Sequence, residues 1–203
     1  MRRFVITGTG RCGTAWMSRA LTVLGIRCEH EGVFNPRTLA DGTWRARLDR
    51  RSGCSWLALP VLAELPADVA VFALVREPLA VIRSLMGIRF FSSGGEYAAI
   101  ARSVAELPDD ELEACAWFWI RANEIAAHHA EAVVRIEDPG ALHVLASAIC
   151  PGREFAPGQF DSVVRSLAPM NARERDESIT LDMLKPYTRN ALVDAAHRLG
   201  YAA

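Results

Sequence analysis

The sequence predicts an α/β fold of three layers, a central parallel sheet between helices, on three observations. A short apolar strand, Phe4-Val5-Ile6-Thr7, empties into a Gly-rich turn, Gly8-Thr9-Gly10-Arg11-Cys12-Gly13, and then into a helix. A continuous apolar run, Val69-Ala70-Val71-Phe72-Ala73-Leu74-Val75, has the composition of a strand covered on both faces, as parallel sheets require. Strand-like and helix-like segments alternate along the chain, which is the pattern of strand–helix–strand units.

The elements read in order as follows. Residues 3–7 form the first strand, and Thr14–Leu24 a helix that Gly25 ends. Ile26-Arg27-Cys28 reads as a second short strand running into Glu29-His30-Glu31-Gly32. Residues 33–54 read as a loop-rich excursion with Pro36, Gly42 and a basic cluster of Arg45, Arg47, Arg50 and Arg51. Ser55–Leu65 suits a helix that Pro66 stops. The apolar run ends at Arg76-Glu77-Pro78, and proline fits the first turn of the helix that follows. Ser92-Ser93-Gly94-Gly95 is a break, and Asp109–His129 a long helix carrying Trp117, Phe118 and Trp119, which read as core. Val133-Val134-Arg135-Ile136 is another strand, followed by Glu137-Asp138-Pro139 and a helix through Ala148. Residues 151–180 show little pattern beyond a short helix near Phe160–Leu167, and Leu181–Leu199 reads as a last helix stopped by Gly200. There is no linker or repeat, so residues 1–203 read as a single domain.

The chain of 203 residues is 51% hydrophobic with a formal net charge of -1, which fits one globular domain. The even charge lacks the basic footprint of a general nucleic-acid binder. No apolar run approaches the roughly 20 residues of a membrane span. Met1-Arg2-Arg3 has the charge of a leader, but the apolar stretch behind it stops at Gly8 and reads as a strand. The five cysteines, Cys12, Cys28, Cys54, Cys115 and Cys150, are scattered and odd in number, with neither zinc spacing nor a disulfide framework. A reducing cytoplasm is the expected location, and the thiols read as small apolar fillers. Cys12 is the exception, because a place near a helix N-terminus would lower its pKa.

Function concentrates at the carboxyl ends of the strands, where ligands sit in parallel sheets. A strand, a Gly-rich turn and a helix N-terminus together hold phosphate through inward backbone N–H groups and the helix dipole. Here the turn lacks the Gly-Lys-Ser/Thr ending of an ATP-hydrolysing loop and carries Arg11 instead. Arg76, at the end of the apolar strand, and Ser84, eight positions on, can face the same mouth. A planar guanidinium beside a hydroxyl makes a second anion site.

Both motifs resemble those of sulfotransferases that use 3′-phosphoadenosine 5′-phosphosulfate (PAPS). That family has a loop of the form Lys/Arg-Ser-Gly-Thr-Thr/Ser after its first strand; here it reads Arg11-Cys12-Gly13-Thr14-Ala15, followed by Trp16. It also has an Arg-Asp/Asn-Pro…Ser segment, here Arg76-Glu77-Pro78…Ser84. Trp119, Asn123 and Arg135-Ile136-Glu137-Asp138 are similar to its later helix and strand end. The sequence departs at Cys12 and Ala15, which remove two hydroxyl donors, and lacks the C-terminal segments of animal cytosolic members. It is closer to compact bacterial forms.

The resemblance implies a P-loop NTPase-like variant of the fold, a PAPS co-substrate and no metal. It implies that Gly10, Arg11, Cys12, Gly13, Thr14 and Ala15 hold the 5′-phosphosulfate, with Arg11 at the bridging oxygen. Arg76 and Ser84 would take the 3′-phosphate, and Met170-Asn171-Ala172-Arg173 would supply a late covering loop through Asn171 and Arg173. Glu31 is the first choice of base and His30 the second, since histidine titrates close to neutral pH. Neighbours on an extended segment point apart, so only one of the two is expected to face the site. Phe90, Phe91 and Tyr97 are candidates to line an acceptor pocket. The basic cluster at 45–51 reads as a solvated face, or as a lid or acidic-acceptor site. The acceptor, a hydroxyl or amine of a carbohydrate, a lipid, a peptide or a small metabolite, is left open, as is a homodimer. Two other readings share the motifs: a nucleotide or metabolite kinase, and a non-catalytic nucleotide-binding protein.

Overall fold

The computed structural model describes residues 2–168 and 177–202. Its centre is a five-stranded sheet in which every pairing is parallel. β1 (Phe4–Thr7) leads through the Gly-rich turn to α1 (Thr14–Val23). β2 (Glu29–His30) is followed by two short helices, α2 (Pro36–Asp41) and α3 (Trp44–Leu48), and then by β3 (Gly53–Cys54). A 3-10 helix over Trp56–Glu64 precedes β4 (Ala70–Val75), α4 (Pro78–Met86), α5 (Glu96–Val104) and α6 (Glu111–His129). β5 (Ala132–Arg135), α7 (Ala141–Ile149), α8 (Gln159–Ser166), a 3-10 turn at Leu181–Met183 and α9 (Pro186–Arg198) complete the described chain. The strand order is β2-β3-β1-β4-β5.

The sheet is covered on both faces, as its long apolar strands require. Side chains alternate along a strand. Phe4 and Ile6 of β1, with Phe72 and Leu74 of β4, pack on Met17 and Leu21 of α1 and Leu142 and Leu145 of α7. Val5, Val71 and Ala73 point the other way, into a core shared with Ile82 and Leu85 of α4 and with Phe118 and Trp119 of α6. Two cores on the two faces of one sheet make three layers. No helix among the described residues is long and apolar enough to cross a membrane.

Several expectations are corrected. Ile26–Cys28 is not a strand. Gly25 turns left-handed, the Ile26 N–H bonds back to the Leu21 carbonyl, and pairing starts only at Glu29. The excursion at 33–54 holds two helices and β3, a strand of two residues with no apolar run to announce it. Its Gly53 lets Phe34 and Val33 approach, since a Cβ there would lie 3.1 Å and 3.3 Å from them. Pro60, which lacks an N–H, lies within the 3-10 segment where an α-helix is expected. Pro186 starts α9 and separates it from the turn at Leu181–Met183, where one continuous helix is expected.

Candidate functional site

The turn after β1 is shaped by close approach and by left-handed backbone. A Cβ on Gly8 would lie 2.0 Å from the Leu74 carbonyl oxygen, so only glycine lets the turn press against β4. Gly13 has φ 101 and faces Ile136, which would be 3.1 Å from a Cβ. Arg11 adopts φ 71, a strained region for a residue with a side chain. No side chain caps the N-terminus of α1, so its first N–H groups are open to a ligand.

Three of the expected residues meet beside this turn. The Arg11 Nε donates to the Ser84 Oγ at 2.8 Å. Arg76 Nη1 donates to the Arg11 carbonyl at 3.0 Å, and the Trp119 indole N–H holds the Arg76 carbonyl at 2.9 Å. Arg11, Arg76 and Ser84 therefore form one cluster built from β1, β4 and α4. Glu77, in the Asp/Asn place of the motif, caps α4 by accepting from Leu79 N–H at 3.0 Å and from Ala80 N–H. Its own N–H donates to Glu137 at 2.9 Å, and the Tyr201 hydroxyl donates to the other oxygen of Glu137. Glu137 thus braces the rim.

Cys12 is overturned as an activated thiol. It is fully buried under the turn among Met17, Leu21 and Leu74. Burial, the largest influence on it, pushes the thiol up to about 12 against an ordinary value of 9.0. Desolvation outweighs the helix end, so Cys12 can offer a ligand only its backbone. Asn123 is also fully buried, with neither amide atom hydrogen-bonded among the described residues, and it is not on the cleft wall. Asn171 and Arg173 lie outside the described residues.

The opposite side of the turn carries His30 and Glu31. The His30 Nδ1 lies 2.9 Å from the Cys54 carbonyl. A carbonyl only accepts, so Nδ1 bears the hydrogen. Nε2 then faces Glu31 Oε1 at 3.7 Å. The other Glu31 oxygen accepts from the Tyr97 hydroxyl at 3.1 Å. Burial first, and the Glu31 carboxylate next, hold the Tyr97 phenol above its ordinary value, so it stays a donor. The expectation that only one of His30 and Glu31 reaches the site fails for a local reason. Glu31 has φ 55, which breaks the extended alternation and swings both side chains to the same mouth. Asn35 Nδ2 and Arg47 Nη1 hold the carbonyls of Glu31 and Gly32 at 3.1 Å and 2.8 Å, fixing this turn. The basic cluster otherwise behaves as a solvated face: Arg45 pairs with Glu64, and Arg51 with Glu29 at 2.8 Å.

Gly10, Arg11, Gly13, Thr14, Ala15, Arg76, His30 and Glu31 all border one cleft of about 470 Å³. Its far wall is Trp56, Leu85, Ile88, Phe90 and Tyr97, with Ser93 to Glu96 at the rim. Phe91 is instead buried in the core, edge-on to Phe118. A second hollow of about 210 Å³ shares Trp16 with the cleft and is lined by Ile136, Pro139, Leu142 and Val164 together with Glu137 and Asp138. Trp56 is the residue that sequence reasoning missed, because the strand that delivers it has only two residues. No protein-family model matches the chain, and no curated protein or solved structure matches it.

Proposed function

We propose that this chain is a transferase for an anionic group held on the turn after β1, and in particular a sulfotransferase that takes its sulfuryl group from PAPS. One observation carries the reading. The strand order sets Arg11 and Arg76 on one side of the turn and the His30–Glu31 pair on the other, all four bordering a single cleft, with Ser84 behind Arg11 and off the cleft wall. Basic groups for a phosphorylated donor and a base for an acceptor are then separated by the position of transfer.

The residues fit the donor. The turn offers backbone N–H groups and the α1 N-terminus to a 5′-phosphosulfate, and Arg76 offers charge to a further phosphate, while Ser84 holds the Arg11 guanidinium from behind the cleft wall. The hollow behind Trp16, mostly apolar with Glu137 and Asp138 at its wall, gives a seat for a base. When bound, PAPS supplies a sulfuryl group whose S–O bond to the 5′-phosphate breaks, the electron pair staying on that phosphate, as a new S–O bond forms to the acceptor oxygen. Arg11 stabilises the charge that collects on the phosphate. Glu31 takes the acceptor proton. His30, oriented by the Cys54 carbonyl, faces the Glu31 carboxylate with Nε2 at 3.7 Å. Tyr97 holds the other carboxylate oxygen.

Calorimetry tests the class of ligand. The expected result is binding of 3′-phosphoadenosine 5′-phosphate (PAP) without magnesium, and much weaker binding of ATP. A preference for ATP that depends on magnesium would replace this reading with a kinase. Transfer of sulfate from PAPS to carbohydrate, lipid-like or small hydroxyl acceptors then separates a catalyst from a binder.

A further inference from the structure

The Trp56 indole N–H makes no hydrogen bond among the described residues. The residue is 5% exposed and borders the cleft. The Nε1 edge stands 3.7 Å from where a Cβ on Gly10 would lie, so the donor sits directly against the turn. The residue is nearly buried, yet Nε1 is not among the fully buried side-chain atoms left without a partner, so the N–H keeps an exposed edge where Trp56 borders the cleft.

Its orientation is fixed. The Ser55 N–H donates to the Ile6 carbonyl at 2.9 Å, and the Ser55 Oγ accepts from Leu57 N–H at 3.2 Å, which ties the entry of the 3-10 helix to β1. The ring meets Phe118 edge-on at 5.5 Å and Phe90 at 5.9 Å. The strand order supplies the direction. β3, which delivers Trp56, lies between β1 with its turn and β2 with His30 and Glu31. Trp56 is therefore the donor between the phosphate cradle and the base.

Resting on the sulfotransferase reading, we infer that the Trp56 indole N–H binds an oxygen of the sulfonate itself, on the acceptor side of the turn. That oxygen carries negative charge before, during and after transfer, and the bond to it neither gains nor loses a proton. Trp56 makes the site discriminate a phosphosulfate from a bare phosphate.

The test compares PAPS with PAP, which lacks the sulfonate. Calorimetry without acceptor is run on the wild type and on Trp56→Phe, which keeps the edge contacts and removes the donor. Loss of a hydrogen bond to a charged oxygen is expected to weaken PAPS by about tenfold or more while PAP is unchanged. In parallel, indole ¹⁵N–¹H spectra of the wild type are recorded, with the Trp56 signal among the five tryptophans assigned by its absence from the variant. That signal should move downfield with PAPS and far less with PAP. Equal effects of PAP and PAPS on the signal, or equal affinities in both proteins, would overturn the inference while leaving the sulfotransferase reading standing. Failure of the wild type to bind either nucleotide would remove that reading and this inference with it.

Discussion

Arg76 stands at the end of a six-residue strand buried at every position, whereas His30 closes a strand of two residues that is half-buried at best. The half of the cleft proposed to hold the donor is thus built by the sheet. β1 and β4 pair along four residues, and the turn between them and α1 is pressed against Leu74. The half proposed to take the acceptor is built by side chains. Two-residue strands position it, and Cys54, Asn35, Arg47 and Tyr97 hold it by single hydrogen bonds. The contrast teaches that the Arg11–Arg76 side of the cleft is specified by burial, and the His30–Glu31 side by local bonds to a strained backbone. The two should respond differently to substitution.

The largest expected effect falls on the acceptor half. Glu31→Gln keeps size and removes the base. Sulfuryl transfer should drop by about 10²–10⁴-fold, the usual contribution of a positioned base, with PAP affinity unchanged in calorimetry. Near-normal turnover would break the assignment. The donor half should answer in the opposite measurement. Arg76→Ala removes the guanidinium that faces the cleft and the bond to the Arg11 carbonyl. PAP binding should weaken by about 1.5–3 kcal/mol, about tenfold or more in Kd. Unchanged PAP affinity would mean that Arg76 only buttresses the turn.

The contrast also explains what was legible in the sequence. Phe4–Thr7, the run into Val75 and the glycines between 8 and 13 announce themselves, because a strand covered on both faces must be apolar throughout and a tight turn needs glycine. Arg76 and Ser84 follow by spacing alone. The acceptor half leaves no such trace. Gly53-Cys54 is too short for a period, and only its pairing with Val5 and Ile6 makes it a strand. Trp56 inherits its place from that strand. The left-handed φ of Glu31 is invisible in a residue that prefers other regions, so the alternation rule pointed its side chain away from His30. Cys12 failed differently: its place in the loop was right, but its side chain answers to the core beneath.

A smaller effect separates those two faces of the loop. Cys12→Ser puts a more polar hydroxyl into a fully buried site among apolar side chains and should cost about 1–3 kcal/mol of stability in denaturant unfolding, with PAP affinity retained. The same burial sets a pH dependence. The folded thiol is held at about 12 against 9.0, so its contribution is whole below pH 9.0 and is lost as pH rises toward 12. Alkylation of Cys12 in the native protein at pH 8 would contradict this placement.

The smallest effect tests the bonds that hold the base. Tyr97 is 40% exposed, so water can replace its hydroxyl at Glu31 once the ring is kept. Tyr97→Phe should therefore cost about 0.5–1.5 kcal/mol in the barrier to transfer, a several-fold loss of rate. PAP affinity should be untouched, because Tyr97 rises from α5 and not from the strands that carry the phosphate cluster. A loss as deep as that of Glu31→Gln would mean that Tyr97 touches the acceptor directly. Weakened PAP binding would mean that the two halves are coupled through the cleft, and the division between a sheet-built and a bond-built half would fall.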